Sequence, residues 1–484
     1  MRASRDRPGA PGDRDQSPDG RTRAGDGRAP AALRDLPATS DERRASGKAA
    51  RKRAGRGSLG SWDEEDRGHD ALETILAQNR IRVPELVPIR HHRMAASPWN
   101  YYRGAAAVMA ADLASQPHSG LLVQLCGDAH VLNFGLWATP ERNLSFDLRD
   151  FDETLRGPFE WDVKRLAASL VVLARANGLS EAVARESVSA AYRGYAGKLR
   201  EYATMPEIDI WYDRVDVDDL IDYLAPYDAD ELGSWIERKA RRRTSRGAST
   251  KLTHVIDGRR TIIEDPPFRT HVAAVGDTDP EAIMAAYRGS VTDPVWSFLT
   301  RFDIADMVRQ VVGVGSVGMR VYLVLLVERR TGDPFFLQIK QAVPSVYERF
   351  LGASRYANHG QRVINGQWMI QSATDMFVGW TNNDGHDFYV RQLRDGKVIP
   401  KGDTIADRLA KFAAACGRVL ARAHARSGDA AAIDDYLGTS AKVEQAFVAF
   451  ATAYADQNER DHAQFARAVE QGSIPSAVGW PEGR

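Results

Sequence analysis

The segment Gln124-Leu-Cys-Gly-Asp128-Ala-His130-Val-Leu-Asn133-Phe-Gly135 decides the expected fold, because a strand-like apolar run delivers an aspartate and, five positions later, an asparagine. A second apolar run, around Ser145-Phe-Asp147-Leu-Arg-Asp150, delivers further carboxylates. Phosphoryl transfer uses such a set, in which one carboxylate orients or deprotonates a hydroxyl while an amide and another carboxylate hold Mg²⁺. Taken alone, the pattern is equally typical of Asx residues in local turns.

A glycine-rich segment lies far downstream, at Val312-Gly-Val-Gly-Ser-Val-Gly318, and an apolar, β-branched run follows it. Phe335-Phe-Leu-Gln-Ile-Lys340 then predicts a strand that ends in a lysine. A dinucleotide-binding G-x-G-x-x-G turn would open a helix, whereas a following strand is the arrangement of the kinase glycine-rich loop and its lysine. A plain hairpin turn is the alternative. We expect the nucleotide phosphates to contact Gly313, Gly315, Ser316, Gly318 and Lys340.

The order of these motifs differs from that of an ordinary kinase, because the loop at 128–133 precedes the glycine segment at 313–318. A circular permutation accounts for this order, since domain termini usually lie at the surface and often close together. The sequence therefore predicts an α+β, protein-kinase-like, two-lobed fold in circularly permuted order, with an additional, mostly helical insertion.

Composition and periodicity predict the boundaries. Residues 1–60 hold 15 Lys and Arg against 8 Asp and Glu and no aromatic residue, so we expect a disordered basic tail. The remaining parts are a C-lobe-like part with the catalytic and metal loops at 61–205, an insertion of uncertain role at 206–300, an N-lobe-like sheet with the glycine loop and lysine at 301–400, and a helical segment completing the C-lobe at 401–484.

Three phrases resemble those of aminoglycoside phosphotransferases. Gly127-Asp-Ala-His-Val-Leu-Asn133 is similar to their G-D-x-H-x-x-N catalytic loop, and Pro158-Phe-Glu-Trp-Asp-Val-Lys-Arg-Leu-Ala167 is similar to their G-D-P-x-x-D-L-A segment. Leu420-Ala-Arg-Ala-His-Ala425 resembles the helix after their hinge. The resemblance implies ATP and Mg²⁺ as cofactors.

A wider resemblance covers most of residues 65–470. The phrases Arg93-Met94, Ser97 to Gly104, Cys126 to Gly135, Phe146 to Thr154 and Tyr454 to Gln457 are similar to those of the bacterial domain-of-unknown-function 2252 family. That family carries no established substrate, so functional expectations rest on the kinase-like residues.

The acidic motifs suggest individual roles. Asp128 is the expected catalytic group, which orients the attacking hydroxyl or accepts its proton. His130 either acts in catalysis, ligates a metal with Asp147, or hydrogen-bonds the loop structurally. Asn133 and Asp147 are the expected Mg²⁺ ligands, and Asp150 is the second candidate because Asp150-Phe151 mimics the kinase Asp-Phe dipeptide.

The basic motifs leave more alternatives open. Gln341 follows Lys340, so the acidic partner of the lysine must come from elsewhere, and Glu348 is the nearest candidate. Arg93 and Arg103 precede the catalytic loop, where they would bind an anionic acceptor or stabilise transition-state charge. Alternatively, they form salt bridges with carboxylates such as Asp150, Asp152 or Glu153.

These motifs predict an ATP- and Mg²⁺-dependent phosphotransferase that acts on a hydroxyl of a small molecule. A nucleotidyl transferase on the same fold and a non-catalytic nucleotide-binding protein are the alternatives. The chain has 65 basic and 65 acidic residues, and because these charges balance we expect that it does not bind nucleic acid specifically. Its longest apolar runs, 166–174 and 321–327, are too short to span a membrane, and Cys126 and Cys416 fit buried thiols, so we expect a cytoplasmic protein. The sequence does not indicate its oligomeric state.

Overall fold

The computed structural model describes residues 39–224, 229–242, 244–272, 280–311, 313–393, 397–398 and 402–477. The helices of this part are α1 (Ser40–Arg53), α2 (Ala71–Ala77), α3 (Val87–Ala95), α4 (Pro98–Gly104), α5 (Ala106–Ala114), α6 (Phe159–Ala176), α7 (Glu181–Tyr202), α8 (Glu207–Tyr212), α9 (Val217–Leu224), α10 (Ala229–Arg241), α11 (Ser245–Leu252), α12 (Pro280–Tyr287), α13 (Asp293–Leu299), α14 (Glu348–Leu351), α15 (His359–Ile370), α16 (Leu409–Ala425), α17 (Ala430–Leu437) and α18 (Ala441–Glu470).

Its strands are β1 (Leu122–Leu125), β2 (Phe134–Ala138), β3 (Leu144–Leu148), β4 (Leu155–Pro158), β5 (Val215–Asp216), β6 (Thr253–Ile256), β7 (Arg259–Ile262), β8 (Arg269–His271), β9 (Phe302–Gln310), β10 (Val321–Glu328), β11 (Pro334–Ala342), β12 (Gly379–Asn383) and β13 (His386–Gln392). They form the antiparallel sheets β1-β4, β2-β3-β5, β6-β7 and β12-β13-β11-β10-β9-β8. The chain is therefore an α+β protein, as the sequence predicts.

Helix α1 lies in the segment for which composition predicts disorder. Thr39 caps it, because the Thr39 side chain accepts a hydrogen bond from the Glu42 N–H at 3.2 Å and the Glu42 carboxylate accepts one from the Thr39 N–H at 3.0 Å. Ala50 is buried, and Arg51 donates to the backbone carbonyl of Tyr436 at the end of α17. The structure thus differs from the expected disordered tail over residues 39–60, while residues 1–38 lie outside the described part.

Helix α6 runs through the largest hydrophobic core and is buried along its whole length from residue 159 to residue 174. A helix that is buried all round is normally apolar all round, yet this one carries charged residues near its start. Buried charges require partners. Two of them, Asp162 and Arg165, find those partners in the loop that follows β1, so the helix serves as the floor of that loop.

Helices α7 and α16 pack at unusually short range in the same core. A Cβ atom on Gly194 would lie 2.3 Å from the carbonyl oxygen of Ala414, and one on Gly417 would lie 2.1 Å from that of Ala191. The two glycines therefore allow the helix backbones to touch. This contact fixes α16, whose last turns carry Arg422 and His424 towards the candidate site.

Strand β10 explains why the sequence after the glycine segment is apolar without interruption. Tyr322, Val324 and Leu326 face one core, which α12 and α13 cover, whereas Leu323 and Leu325 face a second core, which α11 covers. A strand with both faces buried needs apolar side chains at every position. The six-stranded sheet is therefore an interior layer.

The segment 206–300 has a more integral place than the predicted insertion. Helices α11, α12 and α13 cover the two faces of the six-stranded sheet, and strand β8 pairs with β9 at its edge. Strand β5 pairs with β3 at Phe146 and Val215. The segment thus completes two sheets, and its helical character is as predicted.

Within the described residues, no helix has the length and apolar character that crossing a membrane requires.

Candidate functional site

The loop between β1 and β2 is held by the start of helix α6. Asp162 accepts hydrogen bonds from the backbone N–H groups of Cys126, at 2.6 Å, and Gly127, at 3.0 Å. Gly127 has a φ of +90°, and a Cβ atom there would lie 2.3 Å from the carbonyl oxygen of Glu153. Only glycine fits this position, which brings the loop against the carboxylate-rich segment after β3.

Asp128 follows that glycine, and an arginine from helix α6 holds its carboxylate. Arg165 Nε donates to Asp128 Oδ1 at 2.9 Å, while Arg165 Nη2 donates to the Tyr102 carbonyl at 2.8 Å. The guanidinium also lies 3.9 Å from the centre of the Tyr102 ring. Burial, helped by nearby Asp150, raises the pKa of Asp128 despite the opposing effect of Arg165. The carboxylate is thus oriented and made more basic, which suits a proton acceptor.

Asn133 and His130 complete this loop. Asn133 Nδ2 donates to the Asp128 carbonyl at 2.6 Å, so the side-chain oxygen is the free acceptor end of the amide. His130 is buried, with its Nε2 atom 3.9 Å from Asp128 Oδ2 and its ring edge-on to Trp99. Burial, with a smaller effect from nearby arginines, lowers the pKa of His130 well below its usual value. The imidazole is therefore neutral near pH 7.

Asp147 does not have the surroundings that the sequence predicts. Its carboxylate forms a fully buried ion pair with Arg422 and accepts hydrogen bonds from the Leu148 N–H at 2.8 Å and from the Ser372 N–H and hydroxyl at 2.9 and 2.7 Å. Both oxygens are used in joining β3 to α16 and to the end of α15. The assignment of Asp147 as a Mg²⁺ ligand is accordingly corrected to a structural role.

Asp150 has the opposite character. Its Oδ1 atom is buried and has no hydrogen-bond partner among the described residues. Burial raises its pKa, but Lys340, followed by Arg391, Arg149 and Lys397, more than offsets that effect and keeps the pKa below its usual value. A buried, ionised carboxylate oxygen without a donor is available to a cation, so Asp150 is the better metal-ligand candidate of the two.

Lys340, on strand β11, lies near Asp150 and pairs with the neighbouring Asp152. Its ammonium group forms an ion pair with Asp152, and Tyr389 donates to the other Asp152 oxygen at 2.7 Å. Burial acts to lower the pKa of Lys340, but Asp152, Tyr389 and Asp150 together raise it above its usual value. The lysine is therefore charged.

Glu348 does not supply the acidic partner of Lys340. It accepts hydrogen bonds from the backbone N–H groups of Ser345 and Ser354, at 3.0 and 3.1 Å, and lies 3.6 Å from Arg362. Its carboxylate thus stabilises the turn around α14, and Asp152 pairs with the lysine instead. The expected cofactor-binding role of Glu348 is corrected accordingly.

Positive charge accumulates around Asp150. Arg391 is the clearest case, because burial acts to lower its pKa but Tyr389, Asp150 and Asp152 together raise it. Lys397 does not add to this charge, since burial, then Arg391 and then Arg149 lower its pKa well below its usual value. The five other cations of the site outnumber the three aspartates Asp128, Asp150 and Asp152; these cations are Arg103, Arg149, Arg165, Lys340 and Arg391. Such a surplus in a poorly solvated region favours binding of a polyanion.

The glycine segment connects antiparallel strands β9 and β10, with a short 3₁₀ turn at Val314–Ser316. Arg82 Nη1 donates to the carbonyls of Gly315, at 3.1 Å, and Val317, and the Val83 N–H donates to the Gly318 carbonyl at 2.7 Å. Gly318 has a φ of +90°, which favours glycine. The loop is thus a hairpin connection anchored on the segment before α3, and Val312 lies outside the described residues.

Arg93 and Arg103 lie beside this loop. Arg93 stacks 5.7 Å from the centre of the Phe268 ring, and the Arg103 Nη2 atom would lie 3.9 Å from a Cβ atom on Gly313. Asp128 and Asp150 are the carboxylates that act most strongly on Arg103, but no ion pair forms between them within the described part of the chain. The salt bridge that the sequence offered as an alternative for Arg103 is therefore absent there.

The described residues contain no group of three or more His, Cys, Asp and Glu side chains placed to hold a metal ion. Mg²⁺, however, is commonly bound by one or two protein oxygens together with water and substrate phosphates. Asp150, with its unpartnered Oδ1, and Asn133, with its free amide oxygen, fit that smaller requirement.

The sequence did not reveal the residues that support the site, above all Arg165 and Tyr389, and it offered Asp152 only as a salt-bridge partner of Arg93 or Arg103, not of Lys340. One signal was readable, because Asp162 and Arg165 are three residues apart on a helix and hence share one face. Asp152 also follows Asp150 at a spacing of two within the same acidic segment. The contribution of Tyr389 depends on the pairing of β13 with β11, at Lys340 itself, which only the fold reveals.

Comparison with known proteins gives one match. A family model described as "Uncharacterized protein conserved in bacteria (DUF2252)" matches residues 82–468. No curated protein and no solved structure matches the chain.

Proposed function

The chain belongs to this uncharacterized bacterial family, DUF2252, and from the chemistry of its side chains we propose that it is an ATP- and Mg²⁺-dependent phosphotransferase. The proposed acceptor is a hydroxyl group of a small molecule. The observation that carries the proposal is the meeting of Asp128, Asp150 and Lys340, three residues from separate segments, in one buried region with surplus positive charge.

Each of these residues has a role that phosphoryl transfer requires. Lys340 and Arg391 would bind the phosphates and reduce the cost of charge that develops during transfer. Asp150 and Asn133 would hold Mg²⁺, which when bound neutralises charge on the phosphate oxygens. Asp128 would accept the proton of the attacking hydroxyl, and its raised pKa makes it a better base than an ordinary aspartate.

Arg165 would act on the reaction through Asp128. It occupies one carboxylate oxygen of Asp128 and leaves the second, Oδ2, without a hydrogen bond among the described residues, with the neutral His130 3.9 Å away. The acceptor hydroxyl would therefore approach Oδ2. His130 has no charge to contribute, so we assign it to packing and to shaping the acceptor side of the loop.

We also propose that the fold is a circularly permuted relative of the protein-kinase fold. The glycine hairpin between β9 and β10, the lysine on the neighbouring strand β11 and the helix α15 after it follow the order of the kinase glycine loop, lysine strand and αC helix. The catalytic and metal loops precede them in this chain. The glycine loop and Lys340 would have no purpose in a metal-dependent hydrolase.

Two alternatives share the same residues. A nucleotidyl transferase would bind ATP in the opposite direction and transfer its α-phosphate, and a non-catalytic protein would bind the nucleotide alone. The test incubates the protein and a small-metabolite extract with γ-labelled and α-labelled ATP in parallel, with and without Mg²⁺. We expect Mg²⁺-dependent transfer of the γ label only.

Variants connect that result to the site. Asp150→Asn and Lys340→Met should abolish both label transfer and thermal stabilisation by Mg²⁺-ATP, whereas the exposed controls Asp209→Asn and Lys442→Met should retain both. Ligand at about 100 times its dissociation constant stabilises a protein by roughly 2.7 kcal/mol, which a thermal-shift measurement detects. Transfer of the α label would favour the nucleotidyl transferase, and the absence of any nucleotide-dependent shift in the wild type would exclude all three functions.

A further inference from the structure

Arg103, the penultimate residue of α4, has a guanidinium group without a hydrogen-bond or ion-pair partner among the described residues. Its Nε atom is buried, and none of its five N–H groups makes a hydrogen bond or an ion pair with a described residue. Arginine stays charged in proteins, so the buried Nε–H loses its hydration without gaining an acceptor among the described residues. Unsatisfied groups of this kind indicate a missing partner such as a bound ion or ligand.

The arginines around Arg103 add to the deficit of negative charge. Arg82 and Arg90 are buried, and within the described residues their side chains bond only backbone or amide oxygens and form no ion pair. Arg93 is close enough for Arg103 to lower its pKa further after the larger effect of burial. Positive charge is therefore concentrated where α3 and α4 meet the glycine loop.

Arg103 lies on the Asp128 side of the site. The groups that act most strongly on Arg103 are Asp128 and Asp150, whereas those that act most strongly on Lys340 are Asp152, Tyr389, Asp150 and Arg391. Asp150 acts on both cations. The proposed function assigns Lys340 and Arg391 to the nucleotide phosphates, so Arg103 is left to serve the acceptor.

We propose that Arg103, with Arg93 beside it, binds an oxyanion group of the acceptor, so that the substrate is a small hydroxyl compound carrying a phosphate or a carboxylate. The proposal rests on the phosphotransferase function. An oxyanion on Arg103 would restore the hydrogen bonds that the guanidinium lacks and would place the attached hydroxyl near Asp128. The glycine loop lies beside this cation, because a Cβ atom on Gly313 would be in ordinary contact with Arg103 Nη2, at 3.9 Å.

The test uses the full chain saturated with Mg²⁺ and a non-hydrolysable ATP analogue, so that the phosphate positions of the nucleotide are filled. Inorganic phosphate, glycerol 3-phosphate, glycerate and glycerol are titrated into this complex by calorimetry. We expect the phosphate and carboxylate probes to bind without displacing the nucleotide and the neutral glycerol not to bind. The better of the two anion classes identifies the group on the acceptor.

Arg103→Gln should weaken binding of the anions at least tenfold and leave the affinity for the analogue unchanged. Arg349→Gln, at an exposed arginine on α14, is the matched control and should bind both as the wild type does. Lys340→Met should lose the analogue and still bind phosphate, which separates this proposal from the nucleotide function. Displacement of the analogue by the anions, or anion affinity in Arg103→Gln equal to the wild type, would overturn the acceptor assignment.

Discussion

Asp128 has one carboxylate oxygen bonded to Arg165 and the other open, which makes it testable apart from the residues that would hold metal. Asp128→Asn keeps the shape of the side chain but removes the base. We expect turnover to fall by roughly 10²–10⁴-fold, the usual contribution of a positioned acid-base group, with nucleotide affinity near the wild-type value. Single-turnover label transfer and a separate nucleotide titration measure the two quantities.

Asn133→Ala provides the contrast, because Asn133 would contact the metal and also bonds the Asp128 carbonyl. This variant should raise the Mg²⁺ concentration required for half-maximal transfer as well as lower turnover. Full activity of Asp128→Asn would remove Asp128 from the role of base. Equal losses of binding and turnover in Asp128→Asn would instead make it a structural residue or a metal ligand.

Glu153 should make the free energy of unfolding depend on pH. Burial raises the pKa of Glu153 to about 7, although the Val346 N–H and Arg362 oppose the change. Between pH about 4.5 and 7 the folded protein holds a proton that the unfolded chain has released, so rising pH lowers the free energy of unfolding. The loss from this group is at most about 3 kcal/mol.

Glu153→Gln cannot titrate and should lack that part of the pH dependence, as measured by urea unfolding at pH 5 and pH 7.5. The exposed Glu470→Gln variant is the control and should follow the wild type. If the free energy of unfolding changed equally between pH 5 and pH 7.5 in the wild type and in Glu153→Gln, Glu153 would have an ordinary pKa in the folded protein.

Residue types and spacing single out Asp128, Asn133 and Lys340, whose roles stay predictions, and the structure brings Asp128 and Lys340 to the same acidic segment. Spacing favoured Asp147 over Asp150 as the metal ligand, whereas the surroundings of the two side chains favour Asp150. The choice depends on which groups meet the end of β3, and Arg422 and Ser372, which engage Asp147, are more than 200 residues away along the chain. Long-range contacts of this kind leave no local pattern.

At the scale of elements, the contact between β3 and α16 gives a second way to separate structure from metal binding. Asp147→Asn would leave Arg422 buried without its counter-charge, which typically costs about 3–5 kcal/mol. We expect a lower free energy of unfolding and an unchanged Mg²⁺ requirement. Asp150→Asn should do the reverse, since Asp150 Oδ1 has no bond to lose among the described residues.

Urea unfolding and Mg²⁺ titrations of transfer would measure both variants side by side. A stable Asp147→Asn protein with an altered Mg²⁺ requirement would return the metal role to Asp147. The exposed Asp209→Asn variant controls for the loss of a negative charge.

The apolar pattern served well for a buried strand. The strand predicted to end in Lys340 is β11, found at Pro334–Ala342. The pattern failed where partners decide the structure. The segment 206–300 reads as a separate insertion because its strands are short, yet β5 and β8 are stabilised by pairing with distant strands.

At the scale of the whole molecule, helix α1 closes the core through α17. Deleting residues 1–60 would remove the buried Ala50 and Leu59 and the Arg51 and Arg56 bonds to the Tyr436 carbonyl. We expect this deletion to lower the melting temperature by several degrees more than deletion of residues 1–38. The reason is that each 1 kcal/mol of lost stability lowers the melting temperature of a large domain by a few degrees. Equal melting temperatures would show that α1 does not contribute to the fold.

The pairing of Lys340 with Asp152 joins residues 188 positions apart, and Arg51 meets Tyr436 across 385 positions. Such long loops are slow to close, so folding of this chain is expected to be slow. During synthesis the loop at 128–133 leaves the ribosome long before Lys340 exists, and at 5–20 residues per second the interval lasts roughly ten seconds or more. Throughout that time Asp152 lacks the lysine with which it pairs in the folded protein, so this ion pair forms only after most of the chain has been made.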